Sequence, residues 1–174
     1  ALTRLLPMNL QVFESRTTAE RAIASEVAAL VRRKPDAVLG LATGNTPTGV
    51  YAELARLHRE EGLDLRRVRT FNLDEYCGLA LGDPRAFRAW MERVLFAPAG
   101  VPLANVHFPD GVVEGHAVRI EELPAYCDAF ERAIRDAGGI DLQLLGIGRN
   151  GHVGFNEPGS TRVSIDPSGR SSRA

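Results

Sequence analysis

The sequence has a single lysine, Lys34, among its 21 basic residues, and only two cysteines, Cys77 and Cys127. With so little lysine, any bound phosphate must be held mainly by arginine, hydroxyl and backbone N–H groups. Two cysteines without a secretory signal read as free thiols of a reducing compartment, so the cytoplasm is the expected location. The amino end lacks the charged region, long apolar stretch and cleavage site of a signal peptide. No apolar run approaches the ~20 residues that cross a bilayer. The net charge of -1 gives no bulk attraction to nucleic acid, which would normally appear as a clustered basic face. Neither a membrane nor a nucleic acid is an expected partner.

At 174 residues, 44% of them hydrophobic and 25% charged, the chain suits one domain with a full hydrophobic core. Met8 is followed directly by the strand-like "NLQVF", so residues 1–7 read as an upstream extension. Strand-like and helical patterns then alternate. A short strand is expected over residues 10–13, followed by the capping-box spacing of "TTAE" from Thr17 to Glu20 and a helix carrying Ile23, Val27, Leu30 and Val31. "AVLGLA", residues 37–42, reads as a parallel strand buried on both faces. The loop "TGNTP" leads into a helix with Val50, Leu54 and Leu57, and residues 68–73 form the next strand.

Asp83 and Pro84 supply the N-cap and first-turn proline expected for a helix through Phe87, Trp90, Met91, Val94 and Leu95. A strand at residues 106–108 precedes a less regular segment. A further helix runs from near Leu123, next to Pro124, to Gly138-Gly139, and "IDLQLLGIG" is then a buried strand. Residues 159–174 show no convincing packed element and read as loop. Strands alternating with helices imply an α/β fold, a Rossmann-like, doubly wound and mostly parallel sheet with helices on both faces in three layers. Ligands of such sheets bind at the carboxyl ends of the strands.

Three strand ends are polar. In "LATGNTP", Thr43, Gly44, Asn45 and Thr46 lie between a strand and a helix start, where hydroxyls, first-turn N–H groups and the helix dipole favour an anion; the alternative is an ordinary turn whose threonine caps the helix. "FNLDEY" carries Asp74 and Glu75, side by side but pointing different ways. A desolvated carboxylate there could remove a proton from carbon, whereas most loop acids are merely solvated. In "LLGIGRNGHVGFNEPG", Gly146, Gly148 and Gly151 have the spacing of a dinucleotide loop. Such a loop must open a long helix, which Gly154, Pro158 and Gly159 make improbable. The glycines more naturally form a tight turn presenting His152, Asn156 and Glu157, with Glu157 placed to orient the imidazole for acid-base work. His58, His107 and His116 have no comparable setting, and without histidine or cysteine ligand spacing no metal site is expected.

Together, "GLATGNTP", "FNLDEYCGL" and "GIGRNGHVGFNEPG" resemble the glucosamine-6-phosphate deaminase family, also called glucosamine-6-phosphate isomerases, over residues 10–162. The resemblance implies conversion of glucosamine 6-phosphate and water to fructose 6-phosphate and ammonia, in amino-sugar catabolism and without a cofactor. By matching position, Asp74 would move the C2 proton, His152 would assist ring opening with Glu157 and Asn150 completing its group, and residues 43–46 would hold the phosphate. Some relatives carry aspartate where this chain has Asn150, leaving His152 one carboxylate partner rather than two. Family members also continue through further strands and helices with a phosphate-binding arginine and lysine, so the resemblance implies that a carboxyl-terminal portion is missing; Arg170 or Arg173 is a poor match to that arginine, and no lysine follows Lys34. A sugar phosphate is the implied ligand, and homo-oligomerisation is compatible with it. Two other readings are a 6-phosphogluconolactonase, which shares a glycine-histidine loop, and a sugar-phosphate sensor without turnover.

Overall fold

Four short parallel strands organise the chain. The computed structural model describes residues 9–80, 82–109, 112–113, 116–117, 119–159, 163–165 and 171–173. The proposed extension at residues 1–7 and the side chains of Arg170 and Arg173 lie outside them. In chain order the sheet elements are β1 (Val38–Leu41), β2 (Arg69–Asn72), β3 (Val106–His107) and β6 (Leu142–Gln143), arranged β3-β2-β1-β6 with every pair parallel. The helices are α1 (Arg16–Arg33), α2 (Thr48–Glu61), α3 (Phe87–Met91) and α4 (Leu123–Asp136).

Alternation along β1 assigns the two faces. Leu39 and Leu41 join Val27 and Val31 of α1, and Val50 and Leu54 of α2, in one buried cluster. The residues between them point the other way. On that second face Phe71, in register with Gly40, meets Phe130 of α4 edge-on at 5.7 Å. Helices therefore lie on both faces of a parallel sheet, the expected α/β architecture. α1 and α2 pack tightly on one face, and α4, which buries none of its residues, rests more loosely on the other. β1 is buried at all four positions, whereas β6 is only half-buried and pairs with β1 alone among the described strands. Among the described residues, no helix is long and apolar enough to cross a membrane.

Several local expectations are corrected. Residues 10–13 form no strand: Leu10 and Val12 are 77% and 87% exposed and pair with no described strand, so their β-propensity has no ladder to join. The "TTAE" capping box is displaced, because α1 begins two residues before it would require. Ser15 is the N-cap, accepting from the Thr18 N–H at 3.1 Å, while Glu20 pairs with Arg16 one turn earlier. Asp83 does not cap α3 either. Its carboxylate turns back to the N–H and guanidinium of Arg85, and the helix starts only at Phe87. The tail also departs from a plain loop, since β7 (Val163–Ile165) pairs antiparallel with β8 (Ser171–Arg173). Three residues of alternating pattern are too short to stand out from their surroundings in the sequence. A second two-stranded pairing joins β4 (Val112–Val113) and β5 (His116–Ala117).

After α3 the chain widens into a π-helical turn, Glu92–Phe96, in which the N–H of Ala97 reaches the carbonyl of Glu92 at 3.0 Å. This turn delivers Leu95 and Phe96 into the main core, where Phe96 is completely buried and meets Phe108 edge-on at 6.5 Å. Phe96→Ala is expected to cost about 3 to 5 kcal/mol of unfolding free energy, read from the midpoint of a denaturant titration.

Lys34 closes the amino-terminal edge of the sheet. Its ammonium contacts both oxygens of Asp141 at 2.8 and 2.7 Å, and the same carboxylate accepts the N–H of Val38 at 2.8 Å. These partners hold the Asp141 carboxyl below the usual carboxylate range, with Lys34 the larger cause. The only lysine is thus committed to joining the end of α1 to the starts of β1 and β6, away from the strand ends where a ligand would bind.

Candidate active site

The carboxyl ends of β1 and β2 open onto a cavity of about 340 Å³. Thr43, Gly44, Asn45 and Thr46 form one wall, Leu73 and Asp74 a second, and Gly148, His152, Gly154 and Glu157 a third. All four proposed phosphate-site positions and three of the four proposed catalytic residues therefore line one space. The fourth, Asn150, stands behind it as a bridge.

The first wall follows β1 directly. Gly44 takes a positive φ of 102°, which turns the chain sharply between strand and helix. Thr48 then donates its hydroxyl to the Gly44 carbonyl at 3.1 Å, and the Tyr51 hydroxyl donates to the Ala42 carbonyl, fixing both sides of the turn. The turn precedes α2, whose first N–H groups have no partner within the helix. Arg16 approaches from α1 and donates to the Asn45 carbonyl at 2.6 Å, bringing a guanidinium to this turn. Nothing in the sequence pairs residues 29 positions apart, so Arg16 escaped notice there.

The second wall ends β2. Asp74 is placed where burial raises its carboxyl above the ordinary aspartate value, the adjacent Glu75 charge pushes it further up, and a hydrogen bond from the Thr43 side chain pulls partly back. This is the environment a carbon-acid base needs: less hydrated and more basic than a surface carboxylate. Glu75 points elsewhere, towards α3.

The third wall is a chain of tight turns. Gly148 donates its N–H to the His152 carbonyl at 2.9 Å, and Gly151, at φ 86°, donates to the Gly148 carbonyl at 3.0 Å. Residues 152–159 form no helix, so the dinucleotide reading has no structural counterpart there. Asn150 Nδ2 donates to Glu157 Oε2 at 2.6 Å, and its Oδ1 lies 2.6 Å from His152 Nδ1. A carboxylate accepts only, so the Asn150 amide nitrogen must face Glu157 and its oxygen must face the imidazole. That oxygen can only accept, so Nδ1 carries a proton. Glu157 Oε1, 3.3 Å from Nδ1, is a second acceptor there. In the neutral ring Nε2 is left as the lone-pair nitrogen, the atom that can take up and return a proton.

Two glycines permit the close fit. A β-carbon on Gly154 would stand 3.3 Å from Asp74 Oδ2, so this residue lets the loop approach the carboxylate. A β-carbon on Gly148 would coincide with the imidazole of His152. The backbone at Gly148 is not in the left-handed region, so alanine there is conformationally acceptable and only the ring must move. Gly148→Ala is expected to leave the melting temperature nearly unchanged while lowering kcat about tenfold through a displaced imidazole. Thermal unfolding and steady-state rates measured together would check this.

Sequence reasoning also missed an aromatic group beside the cavity. Phe87 lines it and packs against Tyr76 at 4.7 Å and Phe155 at 5.9 Å, while Tyr76 and Phe155 are 5.6 Å apart. The ring of Phe87 was legible only as a helix residue. Cys77 and Cys127 are exposed free thiols, and among the described residues no three His, Cys, Asp or Glu side chains gather as a metal cluster.

Comparison with known proteins gives the same grouping. The family described as glucosamine-6-phosphate isomerases/6-phosphogluconolactonase matches residues 14–163. The chain is 52% identical over 141 residues to a glucosamine-6-phosphate deaminase of Arthrobacter sp. (strain FB24), covering 81% of this chain and 52% of the relative. It is 52% identical to glucosamine-6-phosphate deaminase 2 of Giardia intestinalis over 142 residues, 82% of this chain and 51% of that protein. The chain thus spans about half the length of the curated relatives it matches. Among solved structures, a monomeric glucosamine-6-phosphate deaminase superposes with a TM-score of 0.79 at 38% identity, over 91% of this chain and 65% of the other. A 6-phosphogluconolactonase from Thermotoga maritima gives a TM-score of 0.63 at 26% identity, over 84% and 62%. With its sheet order, its cavity at the strand ends and a profile match across most of its length, the chain belongs to the glucosamine-6-phosphate isomerase/6-phosphogluconolactonase family.

Proposed function

We propose that this chain carries the catalytic half-site of a glucosamine-6-phosphate deaminase, converting glucosamine 6-phosphate and water to fructose 6-phosphate and ammonia. The observation that carries this reading is the convergence of a desolvated carboxylate, Asp74, and a separately oriented imidazole, His152, on one cavity walled by an anion-favouring turn. The relatives at 52% identity bear the same name, which supports the choice of substrate.

The two groups suit two separate proton movements. In the pyranose, Nε2 of His152 takes the proton of the C1 hydroxyl and returns one to the ring oxygen as the C1–O5 bond breaks, giving the open aldehyde. Asp74 then takes the C2 proton; the electron pair moves into the C1–C2 bond while the aldehyde oxygen gains a proton, forming an enolamine. Return of a proton to C1 yields an iminium at C2, which water hydrolyses to the ketone and ammonia. No redox change occurs, so the reaction needs no redox cofactor. Thr43, Gly44, Asn45 and Thr46 would fix the 6-phosphate, converting a loosely held sugar into one whose C2 lies over the carboxylate. A sugar phosphate is the partner this reading requires.

Incubation with glucosamine 6-phosphate should release ammonia and fructose 6-phosphate in equal amounts. Hydrolysis of 6-phosphogluconolactone alone, run in parallel, would assign the chain to the lactonase branch. Binding of glucosamine 6-phosphate without turnover would instead mark a sensor.

A further inference from the structure

We propose that Glu75 is a positioning residue for Asp74, locking residues 73–76 against the start of α3 so that the neighbouring carboxylate keeps its place in the cavity wall. Glu75 Oε1 accepts the N–H groups of Tyr76 at 2.8 Å and Phe87 at 2.9 Å, and Oε2 accepts that of Arg88 at 2.8 Å. Two of these donors belong to the opening turn of α3 and would otherwise have no helical partner. A carboxylate 12 residues upstream thus replaces the cap that Asp83 does not supply.

The geometry closes on itself. Phe87, held through its N–H by Glu75, packs on Phe155; Phe155 follows Gly154, and Gly154 approaches Asp74 Oδ2. Asp74 therefore sits between two points fixed by the same carboxylate, one through the peptide bond and one through the aromatic rings. Loss of either contact frees the loop to swing Asp74 relative to C2, where an error of about 1 Å costs rate steeply. The other ionisable groups lining this cavity are His152 and Glu157 on the opposite wall, with the Arg16 guanidinium at the Asn45 turn, while Arg88 of α3 carries its guanidinium over Phe108, 6.0 Å from the ring centroid.

This inference rests on Asp74 acting as the base, and Glu75→Asp and Glu75→Gln in the intact protein separate the two ideas. Glu75→Asp keeps the charge but is one methylene short of both α3 donors. It should lower kcat about tenfold with KM changed less than about threefold, and speed amide hydrogen exchange at Phe87 and Arg88. Glu75→Gln keeps one acceptor and loses the charge. Because the Glu75 charge raises the Asp74 carboxyl, its removal should move the acid limb of kcat to lower pH, and a carboxyl carbon-13 titration of Asp74 should move the same way. Glu75→Asp retains the charge, so a shift of the Asp74 titration in that variant reports displacement of Asp74, and a Glu75 that only caps α3 would leave it unmoved. Unchanged exchange at Phe87 and Arg88, together with an unmoved Asp74 titration in Glu75→Asp, overturns the proposal. If Asp74→Asn abolishes turnover while both Glu75 variants behave like the parent, positioning alone fails. If the parent releases no ammonia, the deaminase reading fails, and exchange and titration still decide the role of Glu75.

Discussion

Asp74→Asn is expected to lower ammonia release from glucosamine 6-phosphate by roughly 10²- to 10⁴-fold in kcat, the range associated with loss of a positioned general base. Asparagine has nearly the same shape, so sugar-phosphate binding, measured by calorimetry, should survive. The same substitution should raise thermal stability at neutral pH. Burial holds the Asp74 carboxyl above its unfolded value, so folding favours the protonated form. Its stabilising contribution is fully present below the ordinary aspartate value and is lost as pH rises through the raised one. An amide carries no charge to desolvate, so Asp74→Asn should melt higher than the parent near neutrality and equal it in acid. Loss of activity with a pH-dependent gain in stability would mark Asp74 as a strained functional group; a lower melting temperature at neutral pH would show that its carboxylate is a structural anchor instead.

His152→Gln is the second large effect. Glutamine can form hydrogen bonds but cannot take up and return a proton near neutrality, so turnover of the closed sugar should fall about 10²-fold. An analogue lacking the C4 and C5 hydroxyls cannot close a ring and bypasses the step assigned to the imidazole. Its isomerisation should be slowed much less. Equal slowing of both substrates would remove ring opening from His152 and give it a role in the later proton transfers. Asn150 sharpens the test, because its oxygen fixes the proton on Nδ1 and leaves Nε2 for chemistry.

Much of the site was legible because its parts are local. A glycine-rich turn between a buried strand and a helix, an acid at a strand end and a histidine among glycines can each be read within about ten residues, and the α/β alternation places all three at one edge of the sheet. Three of the misreadings involved choosing among local candidates. Ser15 and Thr17 are both good cap residues, and the helix that buries Ala24, Val27, Ala28 and Val31 takes Ser15 as its cap. Asp83 has cap chemistry, yet Arg85 takes its carboxylate first. Leu10 and Val12 have strand chemistry, yet a strand exists only where another backbone meets it.

The sequence by itself determined the fold class, the polar strand ends and the residue types available for proton transfer, because these depend on periodicity and side-chain chemistry carried by neighbouring positions. Tertiary structure alone decided that Lys34 closes the far edge of the sheet, that Asn150 stands between His152 and Glu157, that Arg16 reaches the Asn45 turn, and that Glu75 rather than Asp83 caps α3. Each of those outcomes is a choice of hydrogen-bond or ion-pair partner. Charged and amide groups have several acceptable partners of similar energy, and which one lies within about 3 Å is settled only when the strands and helices have packed.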